Sequence, residues 1–398
     1  MFYGNMILSY SFILDAMRIT HICLCGTYNQ DWNYQDNLLA RQNKIDGNDV
    51  LVVATCNIND KESNRFIKVP QSSFTDSYGV ECVRIPDAPL IPSFIQEKLH
   101  YHPALYRILA ERRPEIVMVH GIPSFDIFAV AKYKRENPSV RLFADTHASL
   151  DNSGRNWLSK KILHGLFNRT LIRFQKRYFE KIFYVAEECG DFLTEVYGLD
   201  KKRDNMEFLT LGGIIPTPEK YRENRESIRR KMGIGERDAV FLHTGKMNPA
   251  KKTLETLKMF SEQKQSILWV AGAFSKEIKH EAESIISESP NIKYLGWLDG
   301  NELTRYMCAA DVLFQPGTQS ASFQQAICCS MVVFLGAYKN NEFLISNGNG
   351  FIVKDVSQAA DKVRMLTENF NMLSEMKRRS LEFAERELSY KVLAARLY

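Results

Sequence analysis

The 398-residue sequence is notable first for what it has little of. No stretch approaches eighteen consecutive apolar residues, the length at which a bilayer-spanning helix becomes a candidate. The first sixteen residues, MFYGNMILSYSFILDA, are apolar but carry no early positive charge and no clear cleavage site. They make a poor signal peptide, and the expectation is an upstream mis-start or loose extension before a first strand near Met17–Ile22. Eight cysteines are scattered over apolar segments without C-x-x-C spacing, which argues against disulfides and zinc and for reduced core thiols in a cytosolic protein. A net charge of +5 over this length is mild, so nucleic acid is not implied as a partner. Asn168-Arg169-Thr170 fits a glycosylation sequon but lies in a basic helical stretch and is read as chance.

What the chain does have is alternation. ITHICLCG, DVLVVATC, EIVMVHG, RLFADTH and KIFYVAE read as buried strands in the first half, and AVFLHTG, SILWVAGA, NIKYLGWL, DVLFQP and MVVFLGA in the second. Helical patterns such as YQDNLLARQNK, FDIFAVAKYKREN and ELTRYMCAA fall between them. Repeated strand-helix alternation calls for parallel sheets with right-handed crossovers, two of them at this length. The expected fold is α/β, with two Rossmann-like domains facing an interdomain cleft. Glycine and proline cluster in LGGIIPTPEKYRE, residues 211–223, which sets the expected seam. The expected division is an N-terminal domain over 1–215, a C-terminal domain over 216–380 and a last helix over 381–398.

Ligands of open parallel sheets bind beyond the carboxyl ends of the strands. The residues there are His120-Gly121, Asp145-Thr146-His147, Gly245-Lys246, Gly272, Gly296-Trp297 and Pro316-Gly317-Thr318-Gln319-Ser320. This set suits a phosphorylated, hydroxylated ligand. In HTGKMNPAKK, residues 243–252, a glycine and a lysine follow the strand, and Lys251 and Lys252 stand at the mouth of the next helix. Cations there would stabilise charge developing on a departing diphosphate. Solvated surface lysines are the plain alternative. In VLFQPGTQSASFQQAICC, Ser322 and Gln325 have the S-x-x-Q spacing of a capping box, which would leave N–H groups free for an anion at the helix start.

At these residues the sequence resembles the retaining glycosyltransferases of family 4, with the two-domain GT-B fold. GKMNPAKKTLETLKMF looks like the family's lysine-bearing loop, with Lys246 at its basic residue after glycine and Lys251 at its diphosphate lysine. NIKYLGWLDGNELTRYMCAADVLFQPGTQS resembles the segment leading to the donor loop, NGNGFIVKD the turn beyond it, and MEFLTLGGI the approach to the linker. SYKVLAARLY resembles the last helix, which in this fold crosses back to the first domain. The resemblance implies transfer of a sugar, with retention, from a nucleotide-diphosphate sugar to a saccharide or lipid-linked acceptor in cell-surface polysaccharide or glycolipid synthesis, UDP being the default nucleotide. It implies catalytic roles for Lys246, Lys251 and His120. Donor contacts would come from Gly245, Gly296, Trp297, Leu298, Pro316, Gly317, Thr318, Gln319, Ser320, Ser322 and Gln325, and acceptor-side contacts from Asp145 and His147. Neither metal nor other cofactor is expected, because the lysines would neutralise the diphosphate.

One departure stands out. The family has a pair of glutamates in the donor loop, whereas this loop holds no carboxylate from Gly317 to Gln325, and Gln325 aligns with the second glutamate. A silent glycosyltransferase-like subunit that binds without turnover is therefore a rival, and a nucleotide-sugar epimerase of the same fold is another. RNWLSKKILHGLFNRTLIRFQKRYFEK, residues 155–181, places Leu158, Ile162, Leu166, Leu171 and Phe174 at helical spacing among Lys160, Lys161, Arg169, Arg173, Lys176 and Arg177. A core-packed helix with a solvated basic face accounts for that pattern, and so does peripheral contact with an anionic membrane at its inner face.

Overall fold

The computed structural model describes residues 16–30, 32–60, 65–149 and 166–398. Residues 1–15 of the expected mis-start or extension and the first part of the basic stretch, with Leu158, Lys160, Lys161 and Ile162, lie outside them. In chain order the strands are β1 (Arg18–Cys23), β2 (Asp49–Thr55), β3 (Asn57–Asn59), β4 (Phe66–Lys68), β5 (Ser72–Thr75), β6 (Glu81–Ile85), β7 (Ile116–His120), β8 (Arg141–Thr146), β9 (Lys181–Tyr184) and β10 (Met206–Phe208). They continue with β11 (Val240–Met247), β12 (Ile267–Phe274), β13 (Ile292–Gly296), β14 (Val312–Gln315), β15 (Val332–Gly336) and β16 (Gly350–Val353).

One sheet has the order β10-β9-β8-β7-β1-β2-β6-β5, a second has β13-β12-β11-β14-β15-β16, and β3 pairs with β4 in a small ribbon. In the first sheet β8, β7, β1, β2 and β6 run parallel and β5 is antiparallel to β6; in the second all six strands run parallel. All ten expected strands form. Two compact units result: one holds Ala40–Asp145 with flanking described residues up to Trp32 and on to Ile182, and the other holds Phe183–Tyr398 with Asn33–Leu39.

The second sheet explains why its strands read as unbroken apolar runs. Val240, Leu242, Trp269, Leu313, Val333 and Leu335 pack into one buried layer, and Phe241, Leu268, Val270, Phe314, Val332 and Phe334 into the other. Successive side chains alternate faces, and helices cover both, so these positions are buried on either side. The helix Pro218–Met232 after the expected seam starts with Pro218 at its first turn and Thr217 capping Lys220 N–H. It ends on Gly233 at φ 67°, a left-handed position suited to glycine. Beneath it Asp311, almost fully buried, accepts from Arg225, Arg229 and Lys377, and these cations hold its carboxyl down at about 2 against the opposing effect of burial.

Candidate functional site

The order of the second sheet reverses direction between β11 and β14, and ligands of such sheets bind at that switch point. Two loops meet there. β11 runs on through Gly245 and Lys246 to Met247, so Lys246 is an exposed strand residue and not a loop residue as the pattern suggested. Asn248 then caps a short 3-10 turn over Pro249–Lys251 before the helix Thr253–Glu262. On the other side β14 gives way to Pro316, Gly317 and Thr318.

These loops are joined backbone to backbone. Thr318 N–H donates to the Ala250 carbonyl at 3.1 Å. The Lys251 ammonium donates to the carbonyls of Thr318, at 2.8 Å, and Gln319, at 3.2 Å. A side chain on Gly317 would put its Cβ 2.4 Å from the Ala250 carbonyl oxygen, and one on Gly336 would come 2.6 Å from the Gly317 carbonyl oxygen. Three stretches of main chain therefore stack with nothing between them. Gly245 and Gly272, paired across β11 and β12 at φ 119° and 147°, do the same: a Cβ on Gly272 would lie 1.9 Å from the Gly245 carbonyl oxygen. Burial lowers the Lys251 ammonium to about 8, because desolvation disfavours its charged form.

His243, at the head of the lysine-bearing motif, had no assigned role in the sequence and turns out to fasten these elements. Its Nδ1–H donates to the Phe314 carbonyl of β14 at 2.8 Å, and Nε2 accepts from the Thr253 hydroxyl at 3.1 Å. Full burial lowers its imidazole to about 4, so it stays neutral in this role. Gln315 adds a bond from its side-chain amide to the Thr244 carbonyl.

The expected capping box does not form. Ala321, not Ser322, precedes the helix Ser322–Cys328, and Ser322 directs its hydroxyl to Ser320 Oγ at 2.9 Å. Gln325 is drawn elsewhere: Nε2 donates to the Ile214 carbonyl and Oε1 accepts the Ile214 N–H, both at 2.9 Å. A carboxylate from elsewhere in the chain does meet the loop. Gln319 Nε2 donates to Glu188 Oε1 at 3.3 Å, from a residue in the helix Glu187–Glu195 that no loop motif would have singled out. Of the remaining second-sheet candidates, Gly296 sits at φ 73°, Trp297 is 65% exposed and Leu298 packs against the core.

His120, Asp145 and Gly121 lie at the ends of β7 and β8, where His120 and Asp145 are register partners. Asp145 is fully buried; Oδ1 accepts Gly121 N–H at 3.0 Å and Oδ2 lies 2.7 Å from His120 Nδ1. His120 Nε2 lies 3.0 Å from Nδ1 of His21 in β1, and His21 Nε2 lies 2.8 Å from Asn43 Oδ1. The chain Asp145–His120–His21–Asn43 engages both ring nitrogens of His120. Burial lowers His21 to about 3. His147 is exposed.

In the basic stretch, the described helix Arg169–Gln175 buries Leu171 and Ile172. Leu166 and Phe174 are each 67% exposed, beside exposed Arg173 and Arg177. Among the described residues no helix is long and apolar enough to cross a membrane.

Residues 224–383 match the family of glycosyl transferases group 1. The matched segment lies wholly within the second unit. The match and the fold together make the protein a transferase. No curated protein matches the chain in sequence. Solved structures do match in fold. HepE from Anabaena in complex with UDP has a TM-score of 0.65 at 11% identity, over 96% of this chain and 98% of that one. WaaG, a glycosyltransferase involved in lipopolysaccharide biosynthesis, has a TM-score of 0.58 at 17% identity, over 95% and 99%. A putative UDP-N-acetylglucosamine 2-epimerase from Listeria monocytogenes also has 0.58, at 12% identity, over 96% and 94%. At these identities the likeness concerns the fold, which is GT-B.

Proposed function

We propose that the protein transfers a sugar, with retention, from a nucleotide-diphosphate sugar to a saccharide or lipid-linked acceptor, with UDP as the nucleotide. The observation that carries this reading is Lys251, a buried ammonium at the switch point of the second sheet, within reach of the 316–319 loop. Fixed positive charge at that place stabilises a diphosphate as it accumulates charge on leaving. Lys246, exposed one strand end away, adds a second cation. In this scheme the acceptor hydroxyl passes its proton to the departing phosphate, the new glycosidic bond forms on the face the diphosphate vacates, and the lysines stand where a metal would otherwise be needed. HepE, which shares the fold, is known in complex with UDP and with UDP-glucose, which supports the choice of nucleotide.

His120 and Asp145 are assigned to the acceptor side in this reading, with His120 held in place by His21. The exposed Leu166 and Phe174 among Arg173, Lys176 and Arg177 fit peripheral contact with anionic lipid, where a lipid-linked acceptor would be met.

The test is turnover with a panel of UDP-, GDP- and ADP-sugars and candidate acceptors, read as release of nucleoside diphosphate. Release with one donor that disappears in Lys251→Ala supports the reading. Calorimetric binding without release under any acceptor would make the chain a silent binding subunit. Glu188 beside Gln319 and the fold shared with the Listeria epimerase favour one second reading, epimerisation. That activity would interconvert a UDP-sugar with no acceptor present.

A further inference from the structure

Behind the 316–320 loop, wholly within the second unit, lies a cavity of about 220 Å³. Its polar lining includes three side-chain amides to which the sequence assigned no role: Gln324, Asn340 and Asn341. They are 5%, 6% and 1% exposed, and the side-chain oxygen of each is buried without a protein partner. For Asn341 the orientation is fixed, because its Nδ2 donates to the Gly336 carbonyl at 2.9 Å and so leaves Oδ1 as the free acceptor. Gln319, another lining residue, is held from outside the cavity, its Nε2 donating to Glu188 Oε1 at 3.3 Å. Buried acceptors are costly to leave unpaired, so a cluster of them marks a place that expects donors.

The chemistry of the lining narrows the ligand. Three unpartnered amide oxygens face a ligand as acceptors, and among the described residues no lysine or arginine lines the cavity to neutralise an anion. Phe323, Leu344, Leu211 and Val185 supply apolar surface between the amides. The volume lies below the roughly 300 Å³ at which drug-sized sites begin. A compact molecule with several O–H donors and apolar C–H faces meets all of these conditions, and a sugar ring is such a molecule.

We propose that Gln324, Asn340 and Asn341 form a binding site for an uncharged hexose, whose hydroxyls donate to the three amide oxygens. The site deepens the proposed transferase reading and rests on it only for which sugar-bearing molecule enters. An uncharged hexose could be the sugar of the donor or a unit of the acceptor.

The experiment uses the full chain with glucose, galactose, mannose and glucuronate in saturation-transfer NMR, and with UDP and UDP-glucose in calorimetry. At least one neutral hexose is expected to receive saturation, and glucuronate none. Gln324→Met and Asn340→Leu, each folded by circular dichroism and melting, should weaken the sugar contribution about tenfold and leave UDP affinity within about twofold. Asn340→Ala, which removes the acceptor with the smallest change of surroundings, serves with the same expected loss if either fails to fold. Loss of the extra affinity of UDP-glucose over UDP assigns the site to the donor sugar; loss of free-hexose binding alone assigns it to the acceptor. The proposal is overturned if no neutral hexose saturates and UDP-glucose binds no better than UDP, which would make this a water-filled cavity. Equal binding of glucuronate, or unchanged sugar binding in folded variants, overturns it as well. Failure of UDP to bind counts against the nucleotide assignment alone.

Discussion

The side-chain amide of Gln325 lies head-on against the peptide of Ile214, donating to its carbonyl and accepting from its N–H, each at 2.9 Å. The pair ties the start of the linker to the helix after the donor loop. Both amide faces are needed, since a carboxylate could accept but not donate. Gln325→Glu is therefore expected to be less stable than the parent by about 1–2 kcal/mol, set by one lost hydrogen bond and a carboxylate facing a carbonyl. Urea unfolding measures this. A Gln325→Glu protein as stable as the parent would show that the pairing contributes little.

Lys251 carries the next prediction. In the proposed reading its charged form binds a diphosphate, and burial brings its ionisation to about 8. UDP affinity should hold up to about pH 7 and fall between pH 8 and 9 as the ammonium loses its proton. Lys251→Met should bind weakly with a flat profile. Stability runs the other way. The folded value lies below the ordinary lysine value of 10.5, so the burial penalty applies in full below pH 8 and is relieved as pH rises toward 10.5. Calorimetry at pH 7, 8 and 9 tests the binding half of this statement.

His21 and His243 predict acid sensitivity. Both are buried and held well below 6.5, at about 3 and about 4. The unfolded chain takes up these protons first, so stability is whole above pH 6.5 and declines as pH falls toward 4. Each group contributes a slope of up to about 1.4 kcal/mol per pH unit. Urea midpoints at pH 7 and 5 should separate, and the gap should narrow by about one proton's worth in His243→Gln.

Arg173, Lys176 and Phe174 test the membrane contact. The triple change Arg173→Glu, Lys176→Glu and Phe174→Ser reverses charge at exposed Arg173 and half-buried Lys176 and removes the exposed Phe174 ring, without replacing the buried Leu171 and Ile172. Binding to vesicles rich in phosphatidylglycerol should drop to background with the melting temperature unchanged. A native protein that ignores such vesicles would end that part of the proposal.

Chelation is a further check. With lysines in the place of a metal, transferase activity should survive excess EDTA, and a loss restored by magnesium would contradict the proposed neutralisation.

Much of the fold was legible because parallel strands covered on both faces carry no alternation to misread; DVLVVATC and AVFLHTG could hardly be anything else. The short strands β3 to β6 escaped notice because they are partly exposed and polar. Phe66, 77% exposed, gives no inward-outward rhythm. The lysine-bearing loop was legible since its glycine, lysines and following helix are contiguous. Gln325 misled because S-x-x-Q is a local signal, and its amide was captured by Ile214, 111 residues away in sequence. Glu188, Asn340 and Asn341 were illegible for the same reason, having been brought to the loop by the packing of distant helices. His21 looked like one more polar residue in an apolar strand, with nothing nearby to announce Asn43 or His120.

The stacking of main chain at Gly317 and Gly336 bears on anyone who would retool this protein. Neither position has room for even a methyl group, so a library aimed at new sugars would lose most of its members to misfolding if it randomised the loop from end to end. Diversity is better concentrated at Gln319, Ser320 and Ala321, with the glycines left as fixed hinges of the mould in which new specificities are cast.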